Sequence, residues 1–296
     1  MATKNKKGEI MKIVVNAGNI GTPVAIQLAK EGHEVGLTVR AIEINKDWDA
    51  LKIRQIPFDI NNTKSMEAAL RGADSFFSLT PLVQNMVEAS VNAIRAAQAA
   101  GVKRIVRSSA AGAGPSAAIE LGKWHYEAEK ALESSGIPFT ILRPMNFMQN
   151  FLTYGNPDSI KGQNAFYAPL GTAKSANVDT RDVSKIAAKC LTQPGHEGKR
   201  YELTGGESLS QAENAKIFSE VLGRTISYVD VPEAAAIDGM SKAGMPSWLV
   251  KMLTELNALG KAGYLAQVSL DTERLLGQKP TTFREFVRDH RAVFNI

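Results

Sequence analysis

One stretch limits what this chain can become: Lys12-Ile13-Val14-Val15-Asn16-Ala17-Gly18-Asn19-Ile20-Gly21-Thr22-Pro23-Val24. Its apolar run is short enough for a buried strand, and it reaches a Gly/Asn turn that opens directly into a helix. The helix carries Val24, Ile26, Leu28 and Ala29. The turn reads Asn16-x-Gly18-x-x-Gly21, the G-x-G-x-x-G spacing with asparagine in the first glycine position. Such a turn aims unpaired backbone N–H groups and the positive end of a helix dipole at one point. A dinucleotide pyrophosphate fits there: Gly18 permits close backbone approach and Gly21 lets the helix pack on the strand. Asparagine tolerates left-handed backbone angles better than most residues, so Asn16 weakens the motif without abolishing it. A tight connection with no ligand is the alternative.

The rest of the pattern supports the ligand. A second strand is expected over Gly32–Arg40, a third over Ile56–Ile60, a fourth over Asp74–Pro81, a fifth over Val102–Ser109 and a sixth over Phe139–Pro144. Helices at Ser65–Leu70, Val83–Ala100 and Trp124–Ser134 separate the later ones. Strands alternating with helices at this spacing imply an α/β fold with a doubly wound parallel sheet. Beyond Asn150 the pattern changes, with Gly-, Asn- and Pro-rich loops over Tyr154–Ala173 and a short strand at Ala165–Ala168. Val178–Leu191 reads as a strand end and helix, and Arg200–Thr204 as the last strand of the sheet. A helix (Ala212–Leu222), a strand (Ile226–Val231) and helices around Ala234–Ala243, Trp248–Leu259 and Phe283–Val293 follow. The expected domains are 10–153 with 177–206, and a smaller C-terminal α/β lobe from 154–176 with 207–296.

Composition narrows the function. The chain has 296 residues, 44% hydrophobic and 22% charged, and its net charge of +5 comes from basic residues mixed with acids. That balance argues against a nucleic-acid partner. The single cysteine, Cys190, lies in an apolar helical stretch and reads as a buried thiol, which suits a reducing cytoplasm. The first nine residues read as a disordered tail with no signal-peptide core, and no apolar run is long enough to span a bilayer. No His/Cys/Asp cluster has metal-ligand spacing, and Ser108 and Ser109 lack a triad setting. A homodimer is an allowed assembly.

In a doubly wound sheet, ligands bind beyond the carboxyl ends of the strands, so the residues there are informative. Arg40 ends the second strand, where the adenosine ribose of a dinucleotide would lie, with no acid until Glu43. A cation there suits the 2′-phosphate of NADP, unless Arg40 is simply a solvated strand end. Asp59 either binds near the adenine or is a turn residue.

These residues, taken together, resemble the NmrA-like group of atypical short-chain dehydrogenases, which includes bacterial NAD(P)H-dependent quinone and dye reductases. The likeness is carried by Gly18-Asn19-Ile20-Gly21, Val39-Arg40, Phe58-Asp59-Ile60 and Ser108-Ser109-Ala110. It continues through Ser135-Gly136-Ile137-Pro138 to Pro144, Asn146-Phe147-Met148-Gln149-Asn150, Val178-Asp179-Thr180-Arg181-Asp182-Val183, Tyr201–Gly205 and Thr282–Val287. The resemblance implies a Rossmann-type NADP(H) domain with a small C-terminal lobe over the cofactor. It also implies pyrophosphate at the Asn16–Gly21 turn, 2′-phosphate at Arg40 and adenine near Asp59. Thr80 and Pro81 would lie near the nicotinamide ribose, and Asn146 to Met148 near nicotinamide and substrate. By position, Ser108 at the end of the fifth strand either shapes the nicotinamide site or merely ends the strand, and Pro144 at the end of the sixth is a further cofactor candidate.

Two departures from the family stand out. Its turn is commonly G-x-x-G-x-x-G, one residue longer and led by glycine. Its catalytic tyrosine–lysine pair also falls elsewhere. Tyr126-x-x-x-Lys130 has the Y-x-x-x-K spacing, but counted back from Gly136 the lysine position is His125 and the tyrosine position Leu121. Tyr126 and Lys130 are therefore expected on a helix surface. His125 becomes the candidate polar group facing the nicotinamide, as proton source or orienting group, or else only a hydrogen bond across a helix interface. Phe147, Met148, Phe151 and Tyr154 either line an aromatic substrate pocket or belong to the core. The expected activity is NADPH-dependent hydride transfer to a conjugated, electron-poor small molecule such as a quinone or dye. A regulator that senses NAD(P)(H) without catalysis is the other class.

Overall fold

The computed structural model describes residues 9–153 and 156–295. The expected disordered tail thus lies, apart from Glu9, outside the described residues, as does Tyr154. In chain order come β1 (Lys12–Asn16), α1 (Gly21–Lys30), β2 (Glu34–Val39), α2 (Lys46–Ala50), β3 (Arg54–Pro57), α3 (Thr63–Leu70), β4 (Ser75–Ser78), α4 (Met86–Ala99), β5 (Arg104–Ser108), α5 (Glu120–Glu133) and β6 (Phe139–Pro144). A 3-10 turn (Met148–Leu152) leads to α6 (Asn156–Gln163), β7 (Ala165–Ala168), β8 (Lys174–Ser175), α7 (Thr180–Thr192) and β9 (Lys199–Leu203). The remainder is β10 (Leu209–Ser210), α8 (Gln211–Leu222), β11 (Ser227–Asp230), α9 (Glu233–Lys242), α10 (Ser247–Lys261), α11 (Asp271–Leu276), α12 (Phe283–Asp289) and α13 (Arg291–Phe294).

The parallel, doubly wound sheet expected from the sequence is the one observed. Its order is β3-β2-β1-β4-β5-β6-β9, and β1 pairs in parallel with both β2 and β4. Strand order therefore reverses between β1 and β4, which opens a crevice at their carboxyl ends. Ile13, Val14 and Val15 are buried in succession, as a strand covered on both faces requires.

The chain forms two compact units, one of residues to 117 with 122–143 and 183–201, the other of 118–121 with 144–182 and 202–296. The crossings at 143/144 and 182/183 stand beside the 153/154 and 176/177 drawn from pattern. In the first unit Phe76, Ile105 and Ile141 of adjacent strands meet Met66 and Leu70 of α3, Ala93 and Ile94 of α4 and Leu132 of α5. Each such large side chain contributes roughly 1.5–3 kcal/mol by leaving water. In the second unit Phe151, Phe166, Phe218, Phe283, Phe286 and Phe294 form an aromatic core. Phe151 and Phe218 meet edge-on at 5.3 Å, Phe218 and Phe294 at 5.0 Å. Ser210 with Glu213 and Thr282 with Glu285 close capping boxes at the starts of α8 and α12.

Several boundaries differ from expectation for local reasons. β4 stops at Ser78 rather than Pro81, because the Leu79 N–H donates to the Asn16 side chain and Pro81 has no N–H to offer. The stretch expected to be loop over 154–173 contains α6, which is anchored by one buried residue, Ile160, and so carries almost no apolar periodicity. The closing helix is two helices, parted at His290, whose Nδ1 lies 2.8 Å from the Phe286 carbonyl oxygen.

Candidate functional site

The first unit gathers most of the candidate residues at the carboxyl ends of β1, β2, β4 and β5. Asn16 is buried there. Its Nδ2 donates to Thr38 Oγ1 at 3.0 Å, and its Oδ1 accepts the Leu79 N–H at 3.2 Å. One side chain thus fastens β1 to the ends of both neighbouring strands.

The turn beyond Asn16 keeps its main-chain donors for a ligand. Among the described residues, the N–H groups of Asn19, Ile20 and Gly21 make no hydrogen bond within the chain. α1 has neither an acid in its first turn nor a side-chain cap, so its positive end is uncompensated. Two glycines keep the approach open. Gly18 has φ +145°, and a Cβ on it would stand 2.8 Å from Leu79 Cδ2. A Cβ on Gly21 would stand 1.7 Å from the Asn16 carbonyl oxygen, inside it for practical purposes. Ser184 of α7 holds the turn from behind by donating to the Ile20 carbonyl at 3.1 Å. Free donors, an open dipole and obligatory glycines fit a linked diphosphate.

Arg40 follows β2 directly, exposed, and among the described residues it makes no hydrogen bond or ion pair. The main chain of the nearest acid, Glu43, is tied to Gln55 by bonds of 3.0 and 2.6 Å. Asp59 opens the turn into α3, with its Oδ1 accepting the Asn61 N–H at 2.9 Å and its carbonyl accepting the Asn62 N–H at 3.0 Å. Its turn role is therefore visible.

Thr80 and Pro81 follow β4, and Ser108 ends β5, buried. Next to it Ser109 donates to Glu129 Oε1 at 2.5 Å. Glu129 of α5 is fully buried, and Arg143 of β6 grips it through Nε and Nη2 at 2.9 and 2.6 Å. Arg107 of β5 is fully buried, and desolvation pushes its guanidinium down to about 10 while the Glu129 charge pulls the other way. His125 lies one turn before Glu129 on α5. It is half-buried, with an enclosed Nδ1 that has no partner among the described residues. Desolvation, and then the Arg107 charge, push its imidazole down to about 3, so it is neutral at ordinary pH. Lys130 pairs with Glu133 at 2.9 Å on the surface.

The second unit holds the remaining candidates. Pro144 is buried at the end of β6, and the Asn146 carbonyl accepts the Val178 N–H at 2.9 Å. Phe147 is half-buried and bridges Val178. Met148 and Phe151 are buried in the aromatic cluster, as the core alternative for them has it. The same segment is fixed by Gln149, which donates to buried Asp179 at 2.9 Å and accepts the Thr180 N–H at 3.0 Å. Arg181 grips Asp179 in turn and overcomes the effect of burial, holding that carboxyl below its usual range.

Arg107, Glu129 and Arg143 were not among the expected residues. The signal available was charge inside strands: β5 is central in a parallel sheet, so an arginine in it has nowhere to go but inward. Cys190 is buried as expected, and its thiol is pushed up to about 12 by desolvation. Among the described residues no group of three His, Cys, Asp or Glu side chains is placed to hold a metal, and no helix is long and apolar enough to cross a membrane.

The NmrA-like family model matches residues 7–287. The chain belongs to the NmrA-like family. It is 35% identical to the NAD(P)H azoreductase of Xenophilus azovorans over 282 residues, covering 95% of this chain and 98% of that one. The NADPH-dependent quinone oxidoreductase QOR2 of Escherichia coli, solved with NADPH, superposes with a TM-score of 0.80 at 26% identity, covering 94% and 99%. The triphenylmethane reductase of Citrobacter sp. shares the fold, with a TM-score of 0.83 at 24% identity over 95% and 99%.

Proposed function

We propose that this member of the family is an NAD(P)H-dependent oxidoreductase that passes hydride to a conjugated, electron-poor small molecule such as a quinone or dye, with NADPH preferred. The turn after β1 carries the reading, because its free donors at Asn19, Ile20 and Gly21 and its two obligatory glycines suit a diphosphate. Reductases among the relatives favour an enzyme over a regulator that only binds the nucleotide.

When bound, the reduced nicotinamide supplies hydride from its C4. The chain's own residues bind, orient and exclude water. The N–H groups of the turn and the positive end of α1 take the phosphates. Arg40, exposed and unpaired, meets the 2′-phosphate and supports the preference for NADPH. Asp59 lies by the adenine, and Thr80, Pro81 and Ser108 shape the nicotinamide end; Pro144 and Asn146 are the cofactor candidates that the second unit carries. Phe147 remains the proposed aromatic contact for the acceptor. His125 serves as a neutral hydrogen-bonding group, since an imidazole pushed to about 3 lacks the acidic second proton of an imidazolium at neutral pH. A conjugated acceptor delocalises the incoming charge and takes its proton from water, so no strong acid is needed. The cytoplasm is the compartment that a lone, buried cysteine suits, and a homodimer is the assembly that sedimentation would test.

The test is NADPH consumption with a panel of quinones, azo dyes and triphenylmethane dyes. Turnover that depends on the acceptor supports the enzyme. Tight NADPH binding with no turnover across the panel would point to the regulator.

A further inference from the structure

Arg107 is out of place for a central strand. β4 and β6 flank β5, and Ile105, two residues earlier on the same strand face, belongs to the apolar core. The guanidinium makes no ion pair among the described residues, because the Glu129 carboxylate that attracts it is held by Arg143 and Ser109. Its hydrogen bonds go to two hydroxyls instead: Nη2 to Ser90 Oγ at 3.1 Å and Nη1 to Thr80 Oγ1 at 3.4 Å. A buried cation so poorly paired is costly, and its retention calls for a role.

The protons in this group have one consistent arrangement. Ser90 donates its only hydroxyl proton to the Met86 carbonyl, one turn earlier on α4, at 2.7 Å. Its oxygen receives from Arg107, so in the 2.9 Å contact with Thr80 it is Thr80 that donates. Thr80 has spent its one proton on Ser90 and receives Arg107 Nη1–H on one lone pair. What is left on this half-buried hydroxyl, just past β4, is a single lone pair. It accepts and cannot donate.

We propose that Arg107 and Ser90 are positioning residues that lock the Thr80 hydroxyl as a hydrogen-bond acceptor, so that the end of β4 selects a ribose-type hydroxyl, which donates, over an acceptor group of the same size. The assignment rests on the proposed function, in which Thr80 lies beside the nicotinamide ribose. Ser90 sets the polarity by taking the Thr80 proton, and the buried Arg107 holds both hydroxyl oxygens by donating to them.

Two ligands test it: NADPH, and an analogue whose nicotinamide-ribose hydroxyls are replaced by fluorine, which accepts weakly and cannot donate. Dissociation constants are measured for the unaltered protein and for Thr80→Val, Thr80→Ser, Ser90→Ala and Arg107→Met. The unaltered protein is expected to favour NADPH by about tenfold, the worth of one good hydrogen bond. Thr80→Val should abolish that preference and Thr80→Ser should keep it. Ser90→Ala should cut it to about threefold, because the Thr80 proton loses its acceptor and is free to turn outward; Arg107→Met leaves that acceptor in place and should cut it less. A merely structural role would weaken both ligands alike and leave the ratio unmoved. If Arg107→Met does not fold, Ser90→Ala alone decides. A preference unchanged in Ser90→Ala, or equal binding of both ligands by the unaltered protein, overturns the assignment and leaves the proposed function standing. Binding of neither ligand removes the proposed function, and this assignment with it.

Discussion

Replacing Asn16 by glycine, the residue that the turn's spacing calls for, separates two roles a sequence cannot distinguish. If Asn16 is a strap between strand ends, its loss leaves the Leu79 N–H and the buried Thr38 hydroxyl without their partners. Each unmet buried group costs about 1–3 kcal/mol, although the Thr38 hydroxyl can rotate toward another acceptor. Glycine in a strand adds roughly 0.5–1 kcal/mol of backbone entropy. The sum for Asn16→Gly is about 2–4 kcal/mol, a large share of the roughly 5–15 kcal/mol that holds a domain folded. Urea unfolding followed by circular dichroism reads this directly, and calorimetric titration with NADPH on the folded variant reads the other role. The expected result is a clear loss of stability with a dissociation constant changed by less than about threefold, since the turn's own N–H donors are untouched. Unchanged stability together with a tenfold or greater loss of NADPH affinity would refute the strap and make Asn16 a ligand of the phosphates.

Three further outcomes are expected. Arg40→Ala should weaken NADPH by about 10- to 100-fold, the range of charge-assisted bonds to phosphate, and NADH by less than about threefold; equal losses would overturn the 2′-phosphate role. His125 has a folded value of about 3 against 6.5 unfolded. Between those two values the unfolded chain binds a proton that the folded chain does not, so stability falls as pH falls through that window. His125→Gln removes the effect and should gain about 1–3 kcal/mol on the unaltered protein between neutral pH and pH 4, the partial exposure of the ring keeping it below the full linkage value; parallel pH–stability curves would contradict this. Glu129→Ala strands the Arg143 guanidinium and the Ser109 hydroxyl, and thermal unfolding should register a loss of about 3–5 kcal/mol, with less than 1 kcal/mol ruling out a structural role for this cluster.

How much of this was legible in the chain depends on what each residue answers to. The sheet was readable because its determinants are local: apolar runs such as Ile13–Val15, glycine stops and helix periodicity recur along the sequence. The phosphate turn was readable because Gly18 and Gly21 meet backbone constraints that no other residue satisfies. The role of Asn16 was not, because its partners Thr38 and Leu79 are 22 and 63 residues away. Met148 and Phe151 stayed open for a similar reason: an aromatic or a methionine serves core and pocket equally well, and the long-range cluster with Phe218 and Phe283 has no sequence spacing. The charges of Arg107, Glu129 and Arg143 sit on three separate elements, so the layer they form has no sequence spacing to betray it.

Equilibrium titration of the purified protein with NADPH and with NADH, followed by calorimetry, bears most directly on the account. Three main-chain donors and an Arg40 that have no partner among the described residues predict saturable one-site binding at micromolar concentrations, tighter for NADPH than for NADH. Absence of heat from either nucleotide at millimolar concentrations would contradict it, leaving the glycine turn as a tight connection and nothing more.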